Sequence, residues 1–404
     1  MESKVPASPR FSGGFYTVLA ISLAGTMSSG VVVPVLPLFV EGELAGGEQL
    51  IGLIVALAPC FSLVAALLAG PYVDRAGRRV TAIAGLSVAV VGALLLIPAE
   101  GVFLTALARS IFGVGSGAAA AATITWAVDQ VPSAIHGRAL SVFGMTVWIG
   151  LSAGPQVGQA VFEAEDFSAV WATVAGLEAL GLLLAISARE PVDRPRPSPR
   201  RRGRPRLVPV GAGGPAVLIA LAAYGEGVLT AFLILHLTDR GVPGGAGLGG
   251  AASVYTIFAA TVLVCRIVAA GIVDRLRPKL IASAGFAAEA VGVGLIAAAT
   301  SFGAAAAGAA LMGAGFAVLF PSLAVMATAA AADEERGAAL ASFGASFGAG
   351  LTLGALLGGA IAAAWGTEAA HLSAAAAAAC AGLYLVMARS RAPGAGLAVP
   401  ERAP

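Results

Sequence analysis

Ionisable residues interrupt stretches that are otherwise apolar, and the leads among them are Arg109, Glu178, Glu226 and Glu289. A charge at depth in such a run costs about 3 kcal/mol or more unless it is paired or faces water. Each therefore marks a hidden polar contact or a place where an ion is handled. Glu226, in Tyr224-Gly225-Glu226-Gly227, has the chemistry of a proton-coupling or cation-binding carboxylate; the alternative is an interfacial carboxylate beside a broken helix. Arg109 is its candidate counter-charge. Glu178 and Glu289 fall mid-run and must face inward or carry a proton. No nucleotide-binding P-loop, zinc-ligand cluster or nucleophile–base constellation stands out, so neither an enzyme, a bound cofactor or metal, nor an ATP-driven pump is expected. Cys60, Cys265 and Cys380 lie in apolar runs without metal or redox spacing and read as small buried hydrophobes.

The elements that position these residues follow from composition. The 404 residues are 58% hydrophobic and only 11% charged, against about a quarter charged in soluble domains, which makes the chain an integral membrane protein. Apolar runs of roughly 20 residues, enough to cross about 30 Å of hydrocarbon, occupy 14–40, 50–70, 80–98, 102–127, 139–162 and 168–188. A second set occupies 212–237, 250–271, 280–300, 303–331, 337–364 and 368–388. The runs are continuously apolar and rich in Ala, Leu and Gly, without the period-two alternation of membrane strands. The expected fold is all-α, with twelve transmembrane helices. The first run is too long for a cleaved signal sequence. Pro34 and Pro37 are expected to bend the outer end of the first helix and Pro321 to kink the tenth.

Between the sets, residues 189–211 change character, with Arg189, Arg194, Arg196, Arg200, Arg201, Arg202, Arg204 and Arg206 set among prolines. That composition makes a flexible, extended linker against an anionic lipid surface. It divides the chain into an N-terminal bundle (1–188), the linker, a C-terminal bundle (212–390) and a tail (391–404). Lys and Arg collect in alternate loops: the N-terminal tail, 71–79, Arg138, the linker, 275–279, Arg336 and the C-terminal tail. The opposite loops hold Glu41, Glu43, Glu48, Glu100, Glu163, Glu165, Asp166, Asp239 and Glu368, with Arg240 as the clear cation. Both termini and the linker are then cytoplasmic. The formal net charge of +2 gives no sign of a nucleic-acid partner. Trp126, Trp148, Trp171 and Trp365 lie near run ends and read as interfacial anchors, while Tyr16, Tyr224, Phe232 and Trp148 are candidates for an aromatic cavity lining.

The chain also repeats itself. Of the 23 glycines in the first 200 residues, 13 fall on a glycine 200 positions later, where ~3–4 would do so by chance. Asp74-Arg75 falls on Asp274-Arg275, and Gly150, Gly154 and Gly158 fall on Gly350, Gly354 and Gly358. Two six-helix bundles related by a parallel repeat, joined by a long linker, have the organisation of a rocking transporter with a substrate site near the midplane.

Three motifs sharpen this. Gly70-Pro-Tyr-Val-Asp74-Arg75-Ala-Gly77-Arg78-Arg79 joins the second and third runs; Gly77 permits a very short reversal and the arginines mark it as cytoplasmic. Arg109-Ser-Ile-Phe-Gly113-Val-Gly115-Ser-Gly117 lies in the fourth run. Gly150-Leu-Ser-Ala-Gly154-Pro155-Gln-Val-Gly158 lies in the fifth, its glycines four apart on one helical face. With these motifs the chain resembles the major facilitator superfamily over nearly its whole length, and the fifth-helix motif is similar to that of its twelve-helix drug/proton antiporters, except that Gln159 replaces the usual final glycine. The resemblance implies that helices 1, 4, 7 and 10 line the cavity and that Asp74 contacts the other half as part of a conformational latch. Gly70, Arg75, Gly77, Arg78 and Arg79 belong to that latch, with Asp129 as a partner for Arg78 and Asp274 and Arg275 as a degenerate second copy. It also implies that Glu226 and Arg109 couple substrate to protons, and that the seam of Gly150, Gly154, Pro155 and Gly158 packs tightly or seals against proton leak. The expected activity is export of a small hydrophobic or amphipathic molecule in exchange for protons. The alternatives are a proton-coupled symporter of a sugar, organic acid or other metabolite, and a non-transporting receptor. The expected partners are the substrate, protons and membrane lipids, with the protein acting as a monomer. Two lysines, Lys4 and Lys279, among 24 basic residues point to a GC-rich genome and a prokaryotic inner membrane.

Overall fold

A computed structural model describes residues 11–132, 135–188, 212–245, 247, 249–273, 276–331 and 335–388. Among them are eleven helices long and apolar enough to cross a membrane. The first six are α1 (Gly13–Gly42), α2 (Glu48–Ala76), α3 (Arg78–Leu96), α4 (Val102–Asp129), α5 (His136–Ala164) and α6 (Phe167–Ser187). The remaining five are α7 (Gly213–Asp239), α8 (Ala251–Val273), α9 (Pro278–Ala298), α10 (Phe302–Ala329) and α11 (Arg336–Met387). The linker 189–211, most of the C-terminal tail, Asp274 and Arg275 lie outside the described residues.

Local chemistry sets the helix ends. Ser12 Oγ accepts from the amide of Phe15 at 3.1 Å, and Asp166 caps α6 by accepting from Ala169 N at 2.9 Å. Between α2 and α3 the turn is a single residue, Gly77, at φ 97°, a conformation only glycine adopts freely. Gly366, at φ 86° and ψ 162°, interrupts α11. That break divides a 52-residue element, which as one straight helix would extend ~78 Å, at the boundary expected between the runs 337–364 and 368–388. Pro34 and Pro37 sit inside α1 and Pro321 inside α10, and both helices continue through them.

The helices pack through small residues, because in lipid close backbone approach and its dispersion contacts replace the hydrophobic drive. A Cβ on Gly85 of α3 would lie 2.6 Å from Ala119 N of α4, and one on Gly285 of α9 would lie 3.0 Å from Gly315 O of α10. Gly113 abuts Ala58 on α2, as Gly313 abuts Phe258 on α8. Arg79 Nε donates to Ala185 O at the end of α6 at 3.1 Å, where a cation complements the exposed carbonyls; 200 residues later, Lys279 donates to Ala388 O.

The main helix pairs joining the halves are α2 with α11, α5 with α8, α1 with α7 and α2 with α7. Their polar contacts gather at the end where α1 finishes and α2 begins. There Gln156 Nε2 donates to Ser253 Oγ (3.1 Å) and Thr256 Oγ1 (3.2 Å), and its Oε1 accepts from Gly247 N (3.2 Å). Gly52 of α2 packs against Gly359 of α11; at the same end, within the second half, Arg240 after α7 pairs with Glu368 of α11.

The aromatic residues depart from expectation. Trp126, Trp148 and Trp171 are buried, and only Trp365 of the four tryptophans is exposed. Trp148 lies mid-helix in α5, while Trp126 and Trp171, within about a turn of their helix ends, are covered by neighbouring helices, Trp171 packing edge-on against Phe39 of α1 at 5.5 Å. Tyr16 is exposed and Phe232 is core, whereas Tyr224 bonds Ser373 at 2.8 Å beside an outer groove. Cys380 is exposed, and Cys60 and Cys265 are half-buried, because each faces outward from its helix more than an apolar run alone reveals.

Candidate functional site

A cavity of about 300 Å³ lies between the two halves, walled by α1, α2, α4, α5, α7, α8 and α11. Arg109 from α4 and Glu226 from α7 both line it. They come from opposite halves and are 6% and 5% exposed. α7 runs unbroken from Gly213 to Asp239, so Glu226 sits mid-helix and the interfacial alternative fails. Its two glycine neighbours let other groups approach closely: Gly225 faces Glu289 of α9, and Gly227 packs on Leu351 and Gly354 of α11.

The polar partners of these charges are few. Glu226 Oε2 and Arg109 Nε are buried without a hydrogen-bond partner. Arg109 lies over the ring of Phe112 at 5.5 Å, and no described residue supplies it with a counter-ion. Glu226 has Arg266 of α8 and Tyr255 within electrostatic reach. The remaining wall is apolar and aromatic, with Val33, Leu36, Phe112, Trp148 and Phe347, relieved by Ser29, Ser62, Ser116 and Thr230. Such a mixture of apolar surface and a few convergent polar groups is the usual form of a small-molecule site. No described residue of α10 lines the cavity; its Phe316 stands behind the wall, packed edge-on against Trp148 at 5.9 Å. The wall therefore draws on α2, α5, α8 and α11 besides α1, α4 and α7.

Arg266 was not singled out from the sequence. Its signal is the same as that of Arg109, an arginine inside an apolar run, in this case 250–271. In three dimensions its guanidinium sits 5.3 Å from the Trp148 ring centroid and 5.6 Å from that of Phe320. It is held by rings from both halves, in the geometry of a cation–π clamp.

The other expected residues fall in two further places. Gly150, Gly154 and Gly158 face α1, where a Cβ on Gly154 would lie 2.6 Å from Gly30 Cα; Pro155 Cδ packs at the same point. Gly350, Gly354 and Gly358 face α7 in the same way. At the opposite end of the bundle from Gln156, Asp74 and Arg75 occupy the last turn of α2, which also contains Gly70. Arg78 Nε meets Asp129 Oδ2, at the end of α4, at 2.7 Å, both side chains about one-fifth exposed, while Arg79 turns to α6. Glu178 and Glu289 face inward and are 1% and 0% exposed. Glu178 accepts a hydrogen bond from Ser28 at 2.7 Å, whereas neither oxygen of Glu289 has a partner.

A family model described as the Major Facilitator Superfamily matches residues 18–221 and again residues 215–403. The chain belongs to the Major Facilitator Superfamily. It is 27% identical over 336 residues to the uncharacterized MFS-type transporter YhhS of Escherichia coli (strain K12), covering 80% of each chain. It is 28% identical over 333 residues to an uncharacterized MFS-type transporter of Burkholderia pseudomallei (strain 1106a), covering 80% of this chain and 79% of the relative. Among solved structures, a point mutant of the nucleoside transporter NupG is similar in fold, with a TM-score of 0.78 at 13% identity, covering 93% of this chain and 99% of that one. A POT family transporter in complex with 5-aminolevulinic acid has a TM-score of 0.78 at 12% identity, covering 95% and 96%. The protein is a multi-pass membrane transporter of this superfamily.

Proposed function

We propose that this superfamily member is a proton-coupled secondary transporter that exports a small hydrophobic or amphipathic molecule by alternating access, with Glu226 carrying the proton. The observation behind this is that Glu226 and Arg109, one from each half, are buried and incompletely partnered at the wall of one cavity rich in aromatic rings. Twelve spans in two repeated bundles agree with the break at Gly366, the two matches to one family model and the glycine contacts shared by residues 200 apart. Arginine-rich loops at the termini's end put that end in the cytoplasm, so the contacts gathered around Gln156 lie on the outer side. Arg78 with Asp129 forms one strut of the latch at the inner end.

The test is a substrate-panel resistance assay in an efflux-deficient host, with accumulation measured in energised everted vesicles. Resistance and proton-dependent accumulation that are both lost in Glu226→Gln are the expected result; resistance that survives the change removes Glu226 from its role. A second reading, import of an organic acid together with protons, draws on Arg109, which faces the cavity without a counter-ion among the described residues and offers a cation to a carboxylate. Uptake in intact cells without accumulation in everted vesicles favours it.

A further inference from the structure

Glu289 of α9 is fully buried, and both its carboxyl oxygens lack a hydrogen-bond partner. It does not line the central cavity. Its Oε1 occupies the space that a side chain at position 225 would take, 3.0 Å from the ideal Cβ of Gly225. Met312 of α10 and Ala374 of α11 close the same notch, at 3.7 and 3.9 Å from that point. Those two side chains, the nearest to that point after the carboxyl itself, are apolar. A buried carboxylate with no partner carries a large solvation penalty, so the neutral acid is the resting form of this group and its charged form is a transient one.

The next residue on α7 is Glu226, which faces the cavity and is the charged neighbour of Glu289. One turn of α7 thus has a carboxyl group on either side, its own Glu226 toward the cavity and Glu289 of α9 behind. Arg266 reaches Glu226 from α8, while His371, one turn from Ala374 on α11, donates to Thr367 O at 2.8 Å and stacks on His236 at 4.6 Å. Tyr224 is engaged with Ser373. None of these gives Glu289 a counter-ion.

We propose that Glu289 is a second proton-binding site, housed in the notch of Gly225 and filled and emptied through Glu226. When an ionised Glu226 takes the proton of Glu289, the negative charge passes to Glu289 and the pair's total charge is unchanged. The two groups therefore exchange protons as a unit rather than as independent acids. This rests on the reading of Glu226 as the proton-carrying group, and it gives the transporter capacity for two protons where the cavity alone shows one.

The proton itself is the probe, so no substrate is needed. Purified full-length protein in lipid nanodiscs is followed by infrared spectroscopy of protonated carboxyl groups during transfer into heavy water. Glu289→Gln, near-isosteric with the neutral acid, is expected to remove one carboxyl band and leave the Glu178 band, identified with Glu178→Gln, in place. In Glu226→Gln the Glu289 band is expected to persist but to exchange its proton at least about tenfold more slowly, since its relay partner is gone. Gly225→Ala forces the Glu289 carboxyl to give by a few tenths of an ångström, and is expected to shift its band while both acids remain. A spectrum that loses no band in Glu289→Gln, or an exchange rate in Glu226→Gln equal to that of the wild type, overturns the proposal. If Glu289→Gln does not fold, an unshifted band in Gly225→Ala overturns it. Loss of coupled efflux in Glu226→Gln alongside an unaltered exchange rate sinks the second site alone. Slowed exchange with intact coupled efflux sinks the primary role of Glu226 instead.

Discussion

Gly154→Ala tests how far α5 depends on its close seam with α1. A Cβ at this position would lie 2.6 Å from Gly30 Cα, 2.7 Å from Gly30 C and 2.7 Å from Met27 O. All three are helix backbone atoms, so no flexible side chain can move aside. Restoring ordinary contact at about 3.5–4.0 Å requires α1 and α5 to part locally by about 1 Å. Overpacking of this kind costs about 1–3 kcal/mol. Gly176→Ala on α6 is the matched control, because a Cβ there meets nothing within 4 Å. Reversible unfolding of both variants in mixed micelles, followed by tryptophan emission, should show Gly154→Ala destabilised by about 1–3 kcal/mol and Gly176→Ala unchanged. A Gly154→Ala protein as stable as the wild type refutes the seam as a packing device. A stable variant that nevertheless leaks protons in reconstituted vesicles would return the motif to a sealing role.

Four further outcomes are expected. Arg78→Gln and Asp129→Asn should each insert normally and impair transport, with a double-mutant coupling of about 0.2–1 kcal/mol, since the 2.7 Å pair is partly exposed; wild-type transport rates in both variants refute the latch. Arg266→Gln should shift the emission of Trp148, measured with Trp126, Trp171 and Trp365 replaced by Phe, because it removes a cation 5.3 Å from the indole; an unchanged spectrum refutes the clamp. Gln156→Leu removes three hydrogen bonds between α5 and the α8 region and should increase labelling of a cysteine at Thr230 by an impermeant maleimide from the outer face. The background for that assay lacks Cys60, Cys265 and Cys380, and equal labelling in both proteins refutes the outer closure. Arg109→Gln leaves the cavity without its unpaired cation and should weaken any anionic substrate more than a neutral one in competition assays; equal loss for both refutes a charge-reading role.

Much of the architecture was legible along the chain alone. Long runs of Ala, Leu and Gly without charges have one stable form in hydrocarbon, a helix that satisfies its own backbone, and the described helix boundaries fall within a few residues of the runs. Turn chemistry was equally local: Gly77 between Arg75 and Arg78 becomes the one-residue reversal between α2 and α3. The spacing of Gly150, Gly154 and Gly158 determined that one face of α5 would lie close to another helix, because residues four apart share a helical face.

The sequence did not determine which helix that would be, nor what the buried charges would meet. Arg109 and Glu226 are separated by more than a hundred residues and converge only because opposite halves enclose one cavity. Of the two readings open for Trp148, interface anchor and cavity lining, packing selected the cavity wall, and Arg266, which the sequence did not single out, meets the Trp148 and Phe320 rings. Glu289 found a notch made by the absence of a side chain on another helix. Helix formation depends on neighbours along the chain, and those are written in order. Burial, pairing and desolvation depend on neighbours across it, and only the packing of one helix against another decided them.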